Sequence, residues 1–198
     1  MSTYLGLYFK VIPKEPWGDI LFAKLQNLPF ESFEITEKVI IAYIEESLFK
    51  KSYLNKINLL RKKSILDMGY GTGILAILAS KLGAKKIDAI DNNMLCIENT
   101  EENITINQCR NINLFLDEKI DCKKSFYDII FANINLNVLI QQIPDYSNSL
   151  NLDGDLILSG FYVKDISKIK KKCKRFGLYL TDQKQKNEWC SLRFNYAC

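Results

Sequence analysis

The spacing of apolar positions changes period near residue 60. From Thr3 to Ile12 the apolar residues Tyr4, Leu5, Leu7, Phe9 and Val11 sit close to alternation, which predicts a strand with one mainly apolar face. Pro13 and Pro16 end it. Ile20, Leu21, Ala23, Lys24, Leu25 and Leu28 then recur at helical spacing, with Pro29 as the stop. Two extended stretches follow, Ser32 to Thr36 and Val39 to Ile44, and a polar, helix-like run extends from Ser47 to about Leu60. The pattern predicts a small α+β (β-α-β-β) module over residues 1–55, near the size at which an isolated core becomes marginal.

Past Arg61-Lys62-Lys63 strands and helices alternate. Strands are expected at Ser64 to Asp67, Lys86 to Asp91, Asn111 to Leu116, Tyr127 to Ala132 and Asp155 to Ser159. Helices are expected at Ile74 to Leu82, Asn93 to Asn107, Leu136 to Leu150 and Asp165 to Phe176. Leu178 to Gln183 and Glu188 to Tyr196 would close the sheet as two adjacent strands, antiparallel to each other. Such alternation generates a doubly wound α/β domain with a mainly parallel, Rossmann-like sheet over residues 63–198. The domain boundary falls near residues 55–63.

The most informative segment is Ser64-Ile65-Leu66-Asp67-Met68-Gly69-Tyr70-Gly71-Thr72-Gly73-Ile74-Leu75-Ala76: a strand, a glycine turn and the start of an apolar helix. At the carboxyl end of a first strand the backbone must turn sharply and approach a ligand without obstruction by a Cβ, which suits Gly69, Gly71 and Gly73. Isoleucine at position 74 removes the third glycine of the dinucleotide pattern, and Asp67 precedes the turn. An anion there would repel pyrophosphate and could orient an ammonium group. The next strand ends in Asp91, 24 residues after Asp67 by numbering, near the offset of about 20 expected for a carboxylate that accepts from ribose hydroxyls. Asp88 is the weaker candidate because it lies inside the strand. Asn133, directly after the fourth strand, could fix an amine nucleophile without changing its charge; its other reading is a helix cap or Asx turn.

Composition narrows the chemistry. Of 198 residues, 47% are apolar and 25% charged, which suits a globular chain rather than a disordered one. The longest apolar runs fall well short of the roughly 20 residues that cross a bilayer, and the N-terminus lacks a signal-peptide pattern, so a cytoplasmic protein is expected. Six scattered cysteines without a C-x-x-C pair and the absence of histidine argue against a zinc site, a disulfide framework and any histidine-based triad. A net charge of +4 is too small to imply nucleic acid by itself. The lysines and arginine between Lys168 and Arg175 read either as a solvated helix face or as a basic patch.

These residues together resemble the bacterial methyltransferases of ribosomal protein L11, the PrmA type, within the class I S-adenosylmethionine-dependent superfamily. The resemblance is carried by Asp67-Met68-Gly69-Tyr70-Gly71-Thr72-Gly73-Ile74-Leu75-Ala76-Ile77, Leu82-Gly83-Ala84, Ala89-Ile90-Asp91, Ala132-Asn133-Ile134-Asn135, Leu156-Ile157-Leu158-Ser159-Gly160-Phe161-Tyr162 and Glu188-Trp189. It implies a protein N-methyltransferase acting on amino groups of a large-subunit ribosomal protein, with S-adenosylmethionine as cofactor and no metal. On this reading Asp67, Gly69, Gly71, Gly73, Asp91 and Asn133 bind the cofactor, Asn133 is also catalytic, and residues 1–55 recognise the substrate. Two departures stand out. Tyr70 replaces a smaller residue and is expected to crowd the ligand loop. A Phe-Gly-Thr-Gly-His-His stretch that covers the cofactor in the family has no counterpart between Leu54 and Lys63, which leaves a catalytically impaired cofactor- or ribosome-binding protein as an alternative. An RNA methyltransferase with ribosomal RNA contact is another.

Overall fold

A computed structural model of the chain describes residues 3–10, 21–23, 25–36, 39–50, 60, 62–119 and 126–196. The chain forms two compact units, Met1–Leu59 and Leu60–Cys198.

In the first unit, β1 (Tyr4–Lys10), β2 (Ser32–Ile35) and β3 (Val39–Glu45) form an antiparallel sheet with β3 at the centre. Leu5, Leu7 and Phe9 alternate toward one face and meet Ile40, Ala42 and Ile44 of β3. Leu25, in the helical stretch expected there, closes the core together with Phe22, whose ring stands edge-on to Phe33 at 5.1 Å. The helix-like run expected from Ser47 is corrected at its start. Glu46–Leu48 is one 3-10 turn that ends at an extended Phe49, and residues 51–59 lie outside the described residues.

The second unit is a seven-stranded sheet built from β4 (Ser64–Met68), β5 (Lys86–Asp91), β6 (Ile112–Leu116), β7 (Tyr127–Asn133), β8 (Leu150–Tyr162), β9 (Leu178–Lys186) and β10 (Trp189–Tyr196). Its order is β6-β5-β4-β7-β8-β10-β9, parallel from β6 to β8, with β10 antiparallel to both neighbours. Helices α1 (Ile74–Lys81), α2 (Met94–Ile106), α3 (Leu136–Ser149) and α4 (Ile166–Lys174) connect the strands. The period of two splits each central strand between two apolar layers. Ile65, Ile87 and Ile129 pack with Ala76 and Ala79 of α1, whereas Leu66, Ile130 and Leu156 pack with Leu139 and Ile143 of α3 and Ile169 of α4. Strands buried on both faces are what parallel sheets require.

Expected and observed elements differ most at Leu150. The helix stops one residue earlier because Leu150 is already extended and pairs with Tyr127, so β8 runs 13 residues and carries an irregularity opposite Tyr127–Ile129. Asp88, the acid inside β5, is a structural residue. It is 4% exposed and accepts from Lys86 Nζ (2.9 Å), Asn113 Nδ2 (2.8 Å) and the Tyr127 hydroxyl (3.1 Å). Among the described residues no helix is long and apolar enough to cross a membrane. Chain order reverses direction on either side of β4, so a crevice opens at the carboxyl ends of β4 and β7, the place where doubly wound sheets take ligands.

Candidate active site

The loop after β4 holds its shape through three left-handed glycines. Gly69, Gly71 and Gly73 have φ of 69°, 54° and 75°, a region that side chains other than glycine's rarely adopt. At Gly69 a Cβ would lie 2.2 Å from Ile134 Cγ2, and at Gly73 2.4 Å from Thr100 Cγ2, so both positions are also closed by packing. Around Gly71 the same test meets nothing within 4 Å, so only its left-handed φ calls for glycine there. Helix α2 steadies the loop from the side: Thr100 Oγ1 donates to Gly71 O (2.9 Å) and Asn103 Nδ2 to Thr72 O (2.9 Å).

Asp67 sits beneath this loop, 1% exposed. Its Oδ2 accepts from Ala76 N at 2.9 Å, which satisfies one of the free amides in the first turn of α1, and its Oδ1 has no partner among the described residues. Burial, reinforced by the nearby Asp91 and opposed by the Ala76 amide, raises its carboxyl from the ordinary 3.8 to about 7. Asp91 ends β5 beside the loop. Its Oδ2 accepts from Gly71 N (2.9 Å) and its Oδ1 from Asn93 N (3.0 Å), so the carboxylate ties the glycine loop to the start of α2.

A cavity of about 220 Å³ opens on the carboxyl edge, lined among others by Met68, Gly69, Ile90, Asp91, Asp117, Glu118, Ile134, Val138 and Gln142. Of the residues singled out in the sequence, Gly69 and Asp91 face it directly. Asp67, Gly71 and Gly73 shape it from behind without lining it. Tyr70 does not crowd it: the ring turns into the apolar layer with Ile65, Ala76 and Ile87, 4% exposed, where burial pushes its unpartnered hydroxyl up to about 12. Asp117 and Glu118 are functional candidates that the sequence reading missed. Asp117 N donates to Asp91 O (3.0 Å), its Oδ1 accepts from Glu118 N and Lys119 N, and Gln142 Nε2 holds Glu118 O at 2.8 Å. The signal available was their place one and two residues after the third parallel strand, level with Asp91.

Asn133, the last residue of β7, is exposed and does not cap the following helix. Asn135 does, accepting from Asn137 N (3.1 Å) and Val138 N (3.2 Å). Asn133 instead accepts from Ser159 Oγ at 3.0 Å and borders a second cleft of about 540 Å³ that includes Gly160, Lys184, Lys186 and Trp189. Trp189 stacks on Tyr162 with ring centroids 4.5 Å apart. Gly160, at φ 90°, brings β8 so close to the Asn133–Asn135 turn that a Cβ would fall 2.5 Å from Ile134 O. The two cavities therefore share one short turn, with Ile134 and Asn135 on the first and Asn133 on the second.

This arrangement matches a known family. Residues 36–196 match the model of "Ribosomal protein L11 methyltransferase (PrmA)". The chain belongs to the ribosomal protein L11 methyltransferase family. Curated members include those of Porphyromonas gingivalis, 42% identical over 153 residues (76% of this chain, 52% of that protein), and Phocaeicola vulgatus, 39% identical over 136 residues (68% and 48%). The chain spans about half the length of these relatives. Among solved structures, the L11 methylase of Lactobacillus delbrueckii subsp. bulgaricus superposes with a TM-score of 0.67 at 28% identity, covering 74% of this chain and 79% of that one. A precorrin-6y C5,15-methyltransferase from Geobacter metallireducens, 16% identical with a TM-score of 0.60, shares the fold. The Asn-Ile-Asn and Leu-Ser-Gly segments that carry much of the family resemblance are the two that the Ser159–Asn133 bond and Gly160 hold together.

Proposed function

We propose that this chain is an S-adenosylmethionine-dependent N-methyltransferase whose acceptor is an amino group of ribosomal protein L11. The observation that carries the reading is the pair of cavities meeting at the Asn133–Asn135 turn, one suited to a nucleoside cation and the other to an acceptor. The residues present fit the cofactor. Gly69 and Asp91 line the first cavity, and Asp67, buried behind the loop with one oxygen unpartnered, would act on a positively charged amino-acid portion through the field of its carboxyl rather than by contact. The Asp91 oxygens keep lone pairs that could accept from ribose hydroxyls beyond the one amide each accepts, and Asp117 and Glu118, on the same cavity, would be the polar groups available to the base. When bound, S-adenosylmethionine supplies an electrophilic methyl group on a sulfonium.

The protein's part in the transfer is alignment. Ser159 donates to Asn133 Oδ1 and fixes the amide plane, and the second lone pair of that oxygen can accept an N–H from an uncharged acceptor amine, turning the nitrogen's own lone pair toward the first cavity. The chain has no histidine, so proton removal from the acceptor rests on other groups or solvent. Residues 1–55 serve as the substrate-recognition module and residues 63–198 as the methyltransferase domain. Transfer of radiolabelled methyl from S-adenosylmethionine to purified, unmethylated L11 tests the reading. Asn133→Ala should lower kcat by about a hundredfold, the order expected for a misaligned nucleophile, while cofactor affinity stays within a factor of two or so. Absence of transfer by the unaltered chain, with cofactor bound, would reject the enzymatic reading and leave a cofactor-binding protein.

A further inference from the structure

The positive charge of the chain is concentrated in one place. Of its 27 cations and 23 acids, seven cations and one acid fall between Lys164 and Arg175, which leaves the rest of the chain with 20 cations and 22 acids. This stretch is the 3-10 turn Val163–Asp165 followed by α4, joined through helical backbone at Asp165. Helix α4 turns Ile169 and Cys173, each 0% exposed, into the core with Leu139 and Ile143 of α3, so its cations are carried on the outward side. Lys168, Lys170, Lys171, Lys174 and Arg175 are exposed and Lys172 is half-buried. Among the described residues only Lys168 of these six is in an ion pair, with Asp165 at 3.0 Å. The elements packed against α4 add two acids, Asp145 of α3 and Asp182 of β9. Helix stability does not account for the array. Lys168–Lys172, Lys170–Lys174 and Lys171–Arg175 are like-charged pairs four residues apart, and Lys168 lies in the first turn, where the helix dipole disfavours a cation.

At its amino end the array meets exposed aromatic rings. Lys164 Nζ stands 5.4 Å from the centroid of Tyr162, whose ring stacks on Trp189, itself 50% exposed. Tyr162 and Lys164 line a third cleft of about 520 Å³ together with Val163, Gln185, Asn187 and Glu188, the one acid on it. Trp189 borders the second cleft with Lys184 and Lys186. A row of cations that ends at ring faces matches a polyanion whose repeating unit carries a flat base: phosphates pair with the lysines and a base covers a ring. An anionic lipid surface would need an exposed apolar helix face, and that of α4 lies in the core. An acidic peptide would use the charges and leave the rings without a partner. We propose that α4 and the Tyr162–Trp189 pair form a docking surface for single-stranded nucleic acid. The inference does not depend on the identity of the methyl acceptor.

The test uses the full chain with labelled oligouridine and oligothymidine of about 20 nucleotides, binding being followed by fluorescence anisotropy between about 50 and 200 mM salt. Lys170→Glu, Lys171→Glu and Lys174→Glu together keep good helix formers at exposed positions, and circular dichroism checks that the variant is folded. This triple variant should lower affinity for both strands by about tenfold or more at the lower salt. It should also flatten the dependence of log affinity on log salt by about 2, for three phosphate contacts at roughly 0.7 each. Trp189→Ala should weaken binding by about fivefold or more with the salt slope unchanged, because it removes stacking and not ion pairing. S-adenosylmethionine affinity, and methyl transfer to L11 without nucleic acid, should be the same in the triple variant as in the unaltered chain, which keeps this test apart from that of the proposed activity. No binding of either strand by the unaltered chain, or binding left intact in the triple variant, would overturn the proposal. So would a polyglutamate peptide or phosphatidylglycerol vesicles bound as tightly as the oligonucleotides.

Discussion

Asp67 makes the stability of the second unit depend on pH in a window where few other groups titrate. In the folded protein its carboxyl is raised to about 7, first by burial, then by the proximity of Asp91, against the lowering effect of the Ala76 amide. A carboxyl whose folded pKa lies above its unfolded value favours the folded state most when protonated. The contribution is fully present below about pH 4 and is lost as pH rises toward 7. The difference of roughly three units corresponds to about 4 kcal/mol between the limits, of which somewhat more than half falls between pH 8 and pH 5. For a unit of this size that equals a rise in Tm of roughly 8 °C on acidification across the interval. The chain contains no histidine, so the residue type that usually dominates this range is missing from both the folded and unfolded states. Differential scanning calorimetry from pH 5 to pH 8, with Asp67→Asn as the comparison, measures the effect. Asparagine keeps an oxygen able to accept from Ala76 N and cannot ionise, so the variant should lose the slope and match or exceed the unaltered chain at pH 8. A flat profile in the unaltered chain, or the same slope in Asp67→Asn, would refute the assignment of that charge to a buried, half-partnered carboxyl.

Two further predictions follow from the loop and the shared turn. Asp91→Ala should weaken S-adenosylmethionine binding by about 1–3 kcal/mol in isothermal titration, since it removes a charged acceptor and frees the Gly71 and Asn93 amides; unchanged affinity would remove Asp91 from the site. Gly160→Ala should cost about 2–4 kcal/mol in denaturant unfolding, from left-handed strain plus overlap with the backbone at Ile134, and should depress methyl transfer more than cofactor binding; a wild-type midpoint and rate would show that β8 and the turn can separate freely.

Much of the second unit was legible because parallel strands and their helices announce themselves through period and punctuation. The runs at Lys86–Asp91 and Tyr127–Ala132 are apolar stretches bounded by turn residues, and Asn93 opens a helix that it also caps, whereas the capping role weighed for Asn133 falls to Asn135. The loop Gly69–Gly73 could be read as a ligand turn because three glycines at a strand end have few other uses. What stayed hidden depended on neighbours distant in sequence. Tyr70 was expected to obstruct the ligand loop, yet nothing local says that Ile65, Ala76 and Ile87 leave room for its ring in the core. Asp117 and Glu118 follow a half-exposed strand and read as ordinary surface acids until the sheet order sets β6 beside β5 and brings them level with Asp91.

The sequence by itself determined the α/β class, the two-unit plan, the glycine loop and the choice of Asp67, Asp91 and Asn133 as chemical candidates. These depend on local propensity and residue type, which adjacent positions record. Only the tertiary structure decided which oxygen of Asp67 is left without a partner, that Asp91 spends its oxygens on the loop, and that Asn133 faces a cleft separate from the first cavity. The Gly71–Asp91 and Ser159–Asn133 bonds join segments 20 and 26 residues apart, and how closely β8 approaches the turn at Ile134 follows from strand order. The bonds of Asp67 to Ala76 N and of Asp91 to Asn93 N are short in sequence but exist only once the loop has taken its three-dimensional shape.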